Sequence, residues 1–591
     1  MKKYFLSLLI ISLLLVSQIT CRSRTSNTTT EKIAWNTLEE LVAQMTLKEK
    51  IGQMTQAERT DIQKGDISIY ALGSILSGGG SVPARNTPEG WVNMINDFVE
   101  ESLKTRLGIP LLYGIDAVHG HNNLLDATIL PHNVGLGAIA AGNLERGAQA
   151  AYTAGRITAE EMRSAGVRWT FAPVLGVAED IRWGRAYESY SENIEIVTVM
   201  GESVIMGLQD NGAAACMKHY LGEGQTIDGR NQGNAILDRA GIERILPPYR
   251  AAINAGAMSL MPSFSSVNGV KMHESKELLT DLLKNEMGFE GFIISDWAAV
   301  TQLSGGSYKA QIANAINAGV DMVMATNGRN SWLNFISNLE ALVREGTVPM
   351  SRIDDAVLRI LKFKQSIGLF NTPLTEKAGA AGSMENRAAA RELVSQSLVL
   401  LRNENNVIAK LPSFKNILVA GRGADNIGMQ CGGWTITWQG GQGAVTKGTT
   451  ILEGIQEAAR GKATVTYAAN GKATGTFDAV IAVIGEVPYA ETEGDRFGNI
   501  DIRPQDADML REVYGYGCPV IVIMLSGRPM TIGDEYQNWD AFIAAWLPGS
   551  EGAGIADVLF GDRDFTGRTP YTWRKTINGD VLYPFQFGLR K

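Results

Sequence analysis

Two apolar runs in this chain each end on a carboxylate. Gly291-Phe-Ile-Ile-Ser-Asp-Trp297 delivers Asp296 and Trp297 after a strand-like stretch. Leu111-Leu-Tyr-Gly-Ile-Asp116 delivers Asp116, with His119 and His121 just beyond it. A third run, Ala213-Ala-Ala-Cys-Met-Lys-His-Tyr220, ends on the basic pair Lys218 and His219. Carboxylates and donors gathered at strand ends can serve as nucleophile, as proton carrier, or as clamps on substrate hydroxyls. An aspartate there also suits a helix N-cap, and a lone histidine also suits a buried structural role. The loop Arg182-Trp-Gly-Arg-Ala-Tyr-Glu-Ser-Tyr190 places Arg185 among aromatic rings. Planar donors and aromatic faces are what hold the hydroxyls and C–H faces of sugars. Gly432-Gly-Trp-Thr-Ile-Thr-Trp-Gln-Gly440 adds Trp434 and Trp438, whose spacing of four also suits a core contact. Gly485-Glu-Val-Pro-Tyr-Ala-Glu-Thr-Glu-Gly-Asp495 carries four acids. Taken alone, that segment reads as a solvated acidic loop.

Other chemistries have no foothold. None of the five histidines forms HExxH, and no Cys/His cluster has zinc spacing. There is no GxSxG elbow, no P-loop and no complete GxGxxG; Gly421-Arg-Gly423 lacks the third glycine.

The elements that must position these residues alternate between short apolar strands and helical periods. Strands are expected at 73–76, 111–115, 169–173, 213–219, 258–262, 292–295 and 321–325, with helices at 90–103, 144–165, 242–255 and 310–318. Thr46-Leu-Lys-Glu49 has the pattern of a capping box. Six to eight β–α units over residues 36–370 predict a (β/α)₈ barrel, whose active sites lie at the C-terminal ends of the strands. A wound open sheet is the alternative. Residues 371–390 are rich in Gly, Ala and Thr and read as a linker. Buried strand runs at 417–420, 464–467, 479–484, 520–525 and 541–546 then predict a second α/β block over 391–591, with a mostly parallel sheet covered on both faces.

Composition agrees. Of 591 residues, 45% are hydrophobic and 20% charged, which is globular. The 54 basic against 62 acidic residues give a net charge of −8, against a nucleic-acid partner. The 65 glycines exceed the usual share of about 7%, as many βα and αβ joints require. Lys2 and Lys3 precede an apolar run from Tyr4 to Val16, so residues 1–20 read as a signal peptide. Cys21 resembles the acceptor cysteine of a bacterial lipoprotein, and Arg22 to Thr30 would be the polar tether. That lipid anchor is the only membrane attachment expected. It implies an exported protein, periplasmic or held at the outer membrane of a Gram-negative-type cell.

Together, the segments 114–120, 182–192, 218–220, 294–297, 431–438 and 485–495 resemble, in order, glycoside hydrolase family three. The similarity is closest to two-domain exo-β-glucanases of the plant type. The resemblance implies a retaining exo-acting β-glucosidase that uses no cofactor and no metal, and whose partner is a β-linked glucan or gluco-oligosaccharide. In that family pattern Asp296 matches the nucleophile and Glu491 the acid/base. Asp116, Arg185, Lys218 and His219 match the residues that hold the first sugar. Trp297 with Trp434 and Trp438 would sandwich the next ring. Phe264 stands where the plant pattern has tyrosine, and Val267 where it has an aromatic residue. The loop after His219 contains no second histidine, unlike relatives that cleave N-acetylglucosaminides with a His–Asp pair. A related β-glycosidase, either a β-xylosidase or N-acetylglucosaminidase-like, and a non-catalytic sugar-binding lipoprotein are the competing readings. Arg185 and Lys218 are expected to favour the ionised form of Asp296.

Overall fold

The computed structural model describes residues 35–590; the leader, Cys21 and nearly all of the tether lie outside the described residues. Eight short strands form the ring of the first block: β1 (Thr55–Glu58), β2 (Ser74–Ser77), β3 (Leu112–Ile115), β4 (Trp169–Thr170), β5 (Met217–Tyr220), β6 (Ser259–Pro262), β7 (Phe292–Ile293) and β8 (Val323–Met324). They pair in parallel in the orders β8-β1-β2-β3-β4 and β7-β6-β5. Parallel bridges Trp169–Ala214, Val174–Lys218 and Ile294–Met322 join the two arcs into a closed ring. This is the (β/α)₈ barrel, not the open sheet.

Most barrel strands are buried at every position, because side chains fill the ring inside and helices cover it outside. Strand β1, Thr-Gln-Ala-Glu, has no apolar run to reveal it. Its donors find acceptors within the fold: Gln56 donates to Ser74 Oγ at 2.7 Å and Thr55 to the Ile51 carbonyl at 2.8 Å. The Thr46/Glu49 capping box forms as its spacing predicts. The single helix expected over 242–255 is two, Arg239–Ile245 and Pro247–Asn254, because Pro247 and Pro248 interrupt the ladder.

The second block contains β9 (Val399–Asn403), β10 (Asn416–Ala420), β11 (Thr464–Ala468), β12 (Ala479–Gly485), β13 (Val520–Leu525) and β14 (Ala541–Trp546). Their order is β9-β14-β13-β12-β10-β11, with only β9 antiparallel. Alternate residues serve different cores. Val480, Ala482 and Ile484 pack with Trp183 and Tyr187 from a barrel loop. Ile481 and Val483 pack with Ile451, Ile455 and Ile555 on the far side. One face of the sheet is therefore pressed onto the barrel and the other is roofed by helices. The stretch expected as linker ends inside a helix, Met384–Ser397, capped by Ser383 and packed against both Asn133–Gly142 and Ala553–Leu559. Its Ser-Met-Glu-Asn start is a cap signal that the surrounding Gly and Ala obscured.

Candidate active site

The barrel presents its strand ends to the second block, and the nine residues named from the sequence all border one cavity of about 840 Å³. Asp116 follows β3, Lys218 and His219 lie on β5, and Asp296 and Trp297 follow β7. Arg185 comes from the long loop after β4, Trp434 and Trp438 from the loop after β10, and Glu491 from the loop after β12.

Asp296 is 8% exposed. Its Oδ1 accepts the Trp297 N–H at 2.6 Å, and its own N–H donates to His273 Nε2 at 3.0 Å. Oδ2 has no hydrogen-bond donor among the described residues and lies 3.7 Å from His219 Nε2. One oxygen is thus fixed and the other left without a donor among the described residues. Burial, and then the charge of Glu491, push the Asp296 carboxyl up to about 7. Arg185 and Lys218 pull the other way but do not prevail. Both cations favour the ionised form, as expected, and desolvation outweighs them.

Glu491 is also raised, by burial first, with Arg185 opposing and Glu188 and Asp116 adding repulsion. It stands 3.8 Å from the Arg185 guanidinium. Asp296 and Glu491, both raised and repelling each other in one cavity, titrate as a coupled pair.

The donors around them are fixed by further acids. Lys218 Nζ donates to Asp116 Oδ1 at 2.9 Å. Arg185 forks onto Glu188 with two bonds of 2.9 Å, and both Arg185 and Lys218 lie over the Trp434 ring at 5.8 and 5.7 Å. Burial would raise Glu188, but the Arg185 charge and hydrogen bond bring it below the usual range. Trp434 is buried and donates Nε1–H to Glu188 Oε1 at 3.1 Å. His219 is held neutral by burial and by Arg185 and Lys218. Its Nδ1 lies 2.8 Å from Glu223 Oε2, and burial pushes Glu223 up to about 7.

Trp297 and Trp438 are the exposed rings, 36% and 43%. Gly78 and Gly79 lie flat against them. A Cβ on Gly78 would stand 2.7 Å from the Trp297 ring, and one on Gly79 would stand 2.9 Å from Trp438 Cβ. Phe264 borders the same cavity. Sequence reasoning missed Glu188, Glu223 and His273. The first two sit three and four residues after a named cation or imidazole, a spacing that lets the later side chain turn back onto the earlier one.

No metal-ligating cluster of three or more groups occurs among the described residues. The arrangement can bind a polyhydroxylated ring through Asp116, Arg185, Lys218 and His219. It can also present one carboxylate to that ring and a second from another block.

Comparison with known proteins agrees with this arrangement. Residues 46–363 match the glycosyl hydrolase family 3 N-terminal domain, and residues 398–590 match the family 3 C-terminal domain. The lysosomal beta glucosidase of Dictyostelium discoideum is 34% identical over 569 residues, covering 87% of this chain and 68% of that protein. The periplasmic beta-glucosidase of Salmonella typhimurium is 29% identical over 535 residues, covering 81% and 67%. The crystal structure of an exo-1,3/1,4-beta-glucanase from a Pseudoalteromonas species superposes with a TM-score of 0.87 at 34% identity, covering 95% of this chain and 75% of that one. With both domain types matched in order around a two-carboxylate cavity, the chain belongs to glycosyl hydrolase family 3.

Proposed function

We propose that this chain is a retaining, exo-acting β-glucosidase that releases glucose from the non-reducing end of β-glucans or β-gluco-oligosaccharides. The observation that carries the reading is the pair of carboxylates raised by burial, Asp296 and Glu491, brought from two blocks to one sugar-sized cavity. Asp296 attacks the anomeric carbon through its unpartnered Oδ2, while Glu491 donates its proton to the leaving oxygen. The glycosyl–Asp296 ester then reacts with water, and Glu491 takes the water's proton back. Asp116, Lys218, His219 and Arg185 hold the first sugar, and Trp297 and Trp438 flank the second. The names borne by the Dictyostelium, Salmonella and Pseudoalteromonas relatives support a β-glucan substrate.

The test is glucose release from a panel of β-linked glucobioses, with the first anomer read by NMR. Glucose appearing first as the β-anomer is the expected result. An α-anomer as first product, or turnover of a xyloside well ahead of every glucobiose, would refute the reading.

The same assay reads the second-sugar contact. Trp438→Ala is expected to raise KM for glucobioses by roughly fivefold, the equivalent of about 1 kcal/mol of stacking, with KM for an aryl glucoside much less affected. Equal changes on both substrates would remove Trp438 from that role.

Export through the leader, with attachment at Cys21, belongs to this proposal and rests on the sequence of residues 1–30. Fractionation of cells carrying the full chain or its Cys21→Ser variant reads that part separately: a variant that stays with the membranes would exclude the anchor.

A further inference from the structure

Arg528 follows β13 in Ser526-Gly-Arg-Pro529 and does not border the cavity, yet it is fully buried. A buried guanidinium needs acceptors, and where it finds them shows what it holds together. Nη1 donates to the carbonyls of Ile181, Arg182 and Trp183 at 3.1, 3.2 and 3.1 Å. Those carbonyls belong to the barrel loop that carries Arg185. Nη2 donates to the Gly494 carbonyl at 2.6 Å and to Glu486 Oε1 at 3.2 Å, both on the loop that carries Glu491. One side chain thus grips both loops.

Asp495 closes the same joint from the other direction. Its Oδ1 accepts the Gly184 N–H at 2.9 Å, and its Oδ2 accepts the Asn231 N–H at 2.8 Å. The two loops touch so closely that a Cβ on Gly184 would lie 2.0 Å from the Glu491 carbonyl oxygen. Glu491 itself sits at φ 55°, a left-handed conformation that a non-glycine residue holds only when its surroundings impose it.

We propose that Arg528 is a positioning residue for proton transfer: it clamps the Glu491 loop to the Arg185 loop and so sets where the Glu491 carboxyl stands over the first sugar. This rests on Glu491 being the acid/base. Asp116, Lys218, His219 and Asp296 stand outside the two clamped loops, and Arg185 is held separately by its fork onto Glu188, so the clamp acts mainly on proton delivery.

The test is Arg528→Lys, which keeps the charge but cannot fork between the two loops. An ångström-scale displacement of a catalytic group costs on the order of 10²-fold. The variant is therefore expected to lose roughly 10–10²-fold in kcat on a glucobiose but less than about threefold on a dinitrophenyl glucoside, whose leaving group needs little acid help. Inhibition by glucose should be unchanged. In a Glu491→Gln background, Arg528→Lys should cost nothing further. Equal losses on both substrates, or a full additional loss in the Glu491→Gln background, would reduce Arg528 to a structural residue and overturn the inference. If Glu491→Gln alone shows no dependence on the leaving group, the acid/base assignment has failed, not the clamp. Should Arg528→Lys not fold, Asp495→Asn loosens the same joint and is held to the same comparison.

Discussion

Asp296→Ala is expected to remove on the order of 10⁴–10⁶-fold in kcat, the scale seen when a covalent nucleophile is deleted. The carboxylate has no substitute in place. Oδ2 accepts no hydrogen bond among the described residues, and the neighbouring Asp116 is engaged by Lys218. A 2-deoxy-2-fluoro glucoside bearing a good leaving group should trap the intermediate and label the peptide that contains Asp296. Label on Asp116 or Glu223 instead would overturn the assignment. So would a residual rate within about tenfold of wild type.

Glu491→Ala should be graded where Asp296→Ala is absolute. A general acid contributes about 10²–10⁴-fold, so glucobioses should lose that much while dinitrophenyl glucoside loses little in the first step. Added azide should then restore turnover and give a β-glycosyl azide, since an anion needs no general base to attack the ester. The pH profile of Glu491→Gln is a second expectation. In wild type kcat/KM is expected to fall at low pH as Asp296 is protonated and at high pH as Glu491 loses its proton. Removing a negative neighbour favours the ionised form of Asp296. The acid limb should therefore move to lower pH, and the basic limb should disappear. An acid limb that stays in place would mean that Glu491 is not what raises Asp296. Leaving-group dependence in Glu493→Ala but not in Glu491→Ala would transfer the proton donor to Glu493.

The barrel half of this site was legible in the sequence because the physics there is local. A strand closed by Asp296 or by Lys218-His219 must deliver those side chains to the rim, once the strands are read as a barrel. Strand β1 escaped, since its polar side chains find their acceptors inside the fold and leave no apolar signature. The antiparallel return of β9 depends on distant pairing with β14, which no local pattern encodes. Glu491 was legible only through resemblance. Among the four acids of its loop, Glu486 bonds Tyr489 and Arg528, Asp495 caps two backbone N–H groups, and Glu493 faces solvent. Spacing alone cannot sort those tasks, because the partners that separate them, Arg528, Gly184 and Asn231, lie far away in the chain. Glu188 and Glu223 stayed hidden for a related reason: they act on Arg185 and His219 and do not border the cavity themselves.

The sheet face pressed onto the barrel has a consequence for how such an enzyme can diversify. On the proposed assignments the residues that hold the first sugar reside on one block, while the proton donor, Trp434 and Trp438 reside on the other. Change in the second block away from Trp434 would then retune which aglycones leave, and how fast, more than which glycone is admitted. The parts that must be inherited together are Trp434 with Arg185, Lys218 and Glu188, and the 181–185 loop with the 491–495 loop.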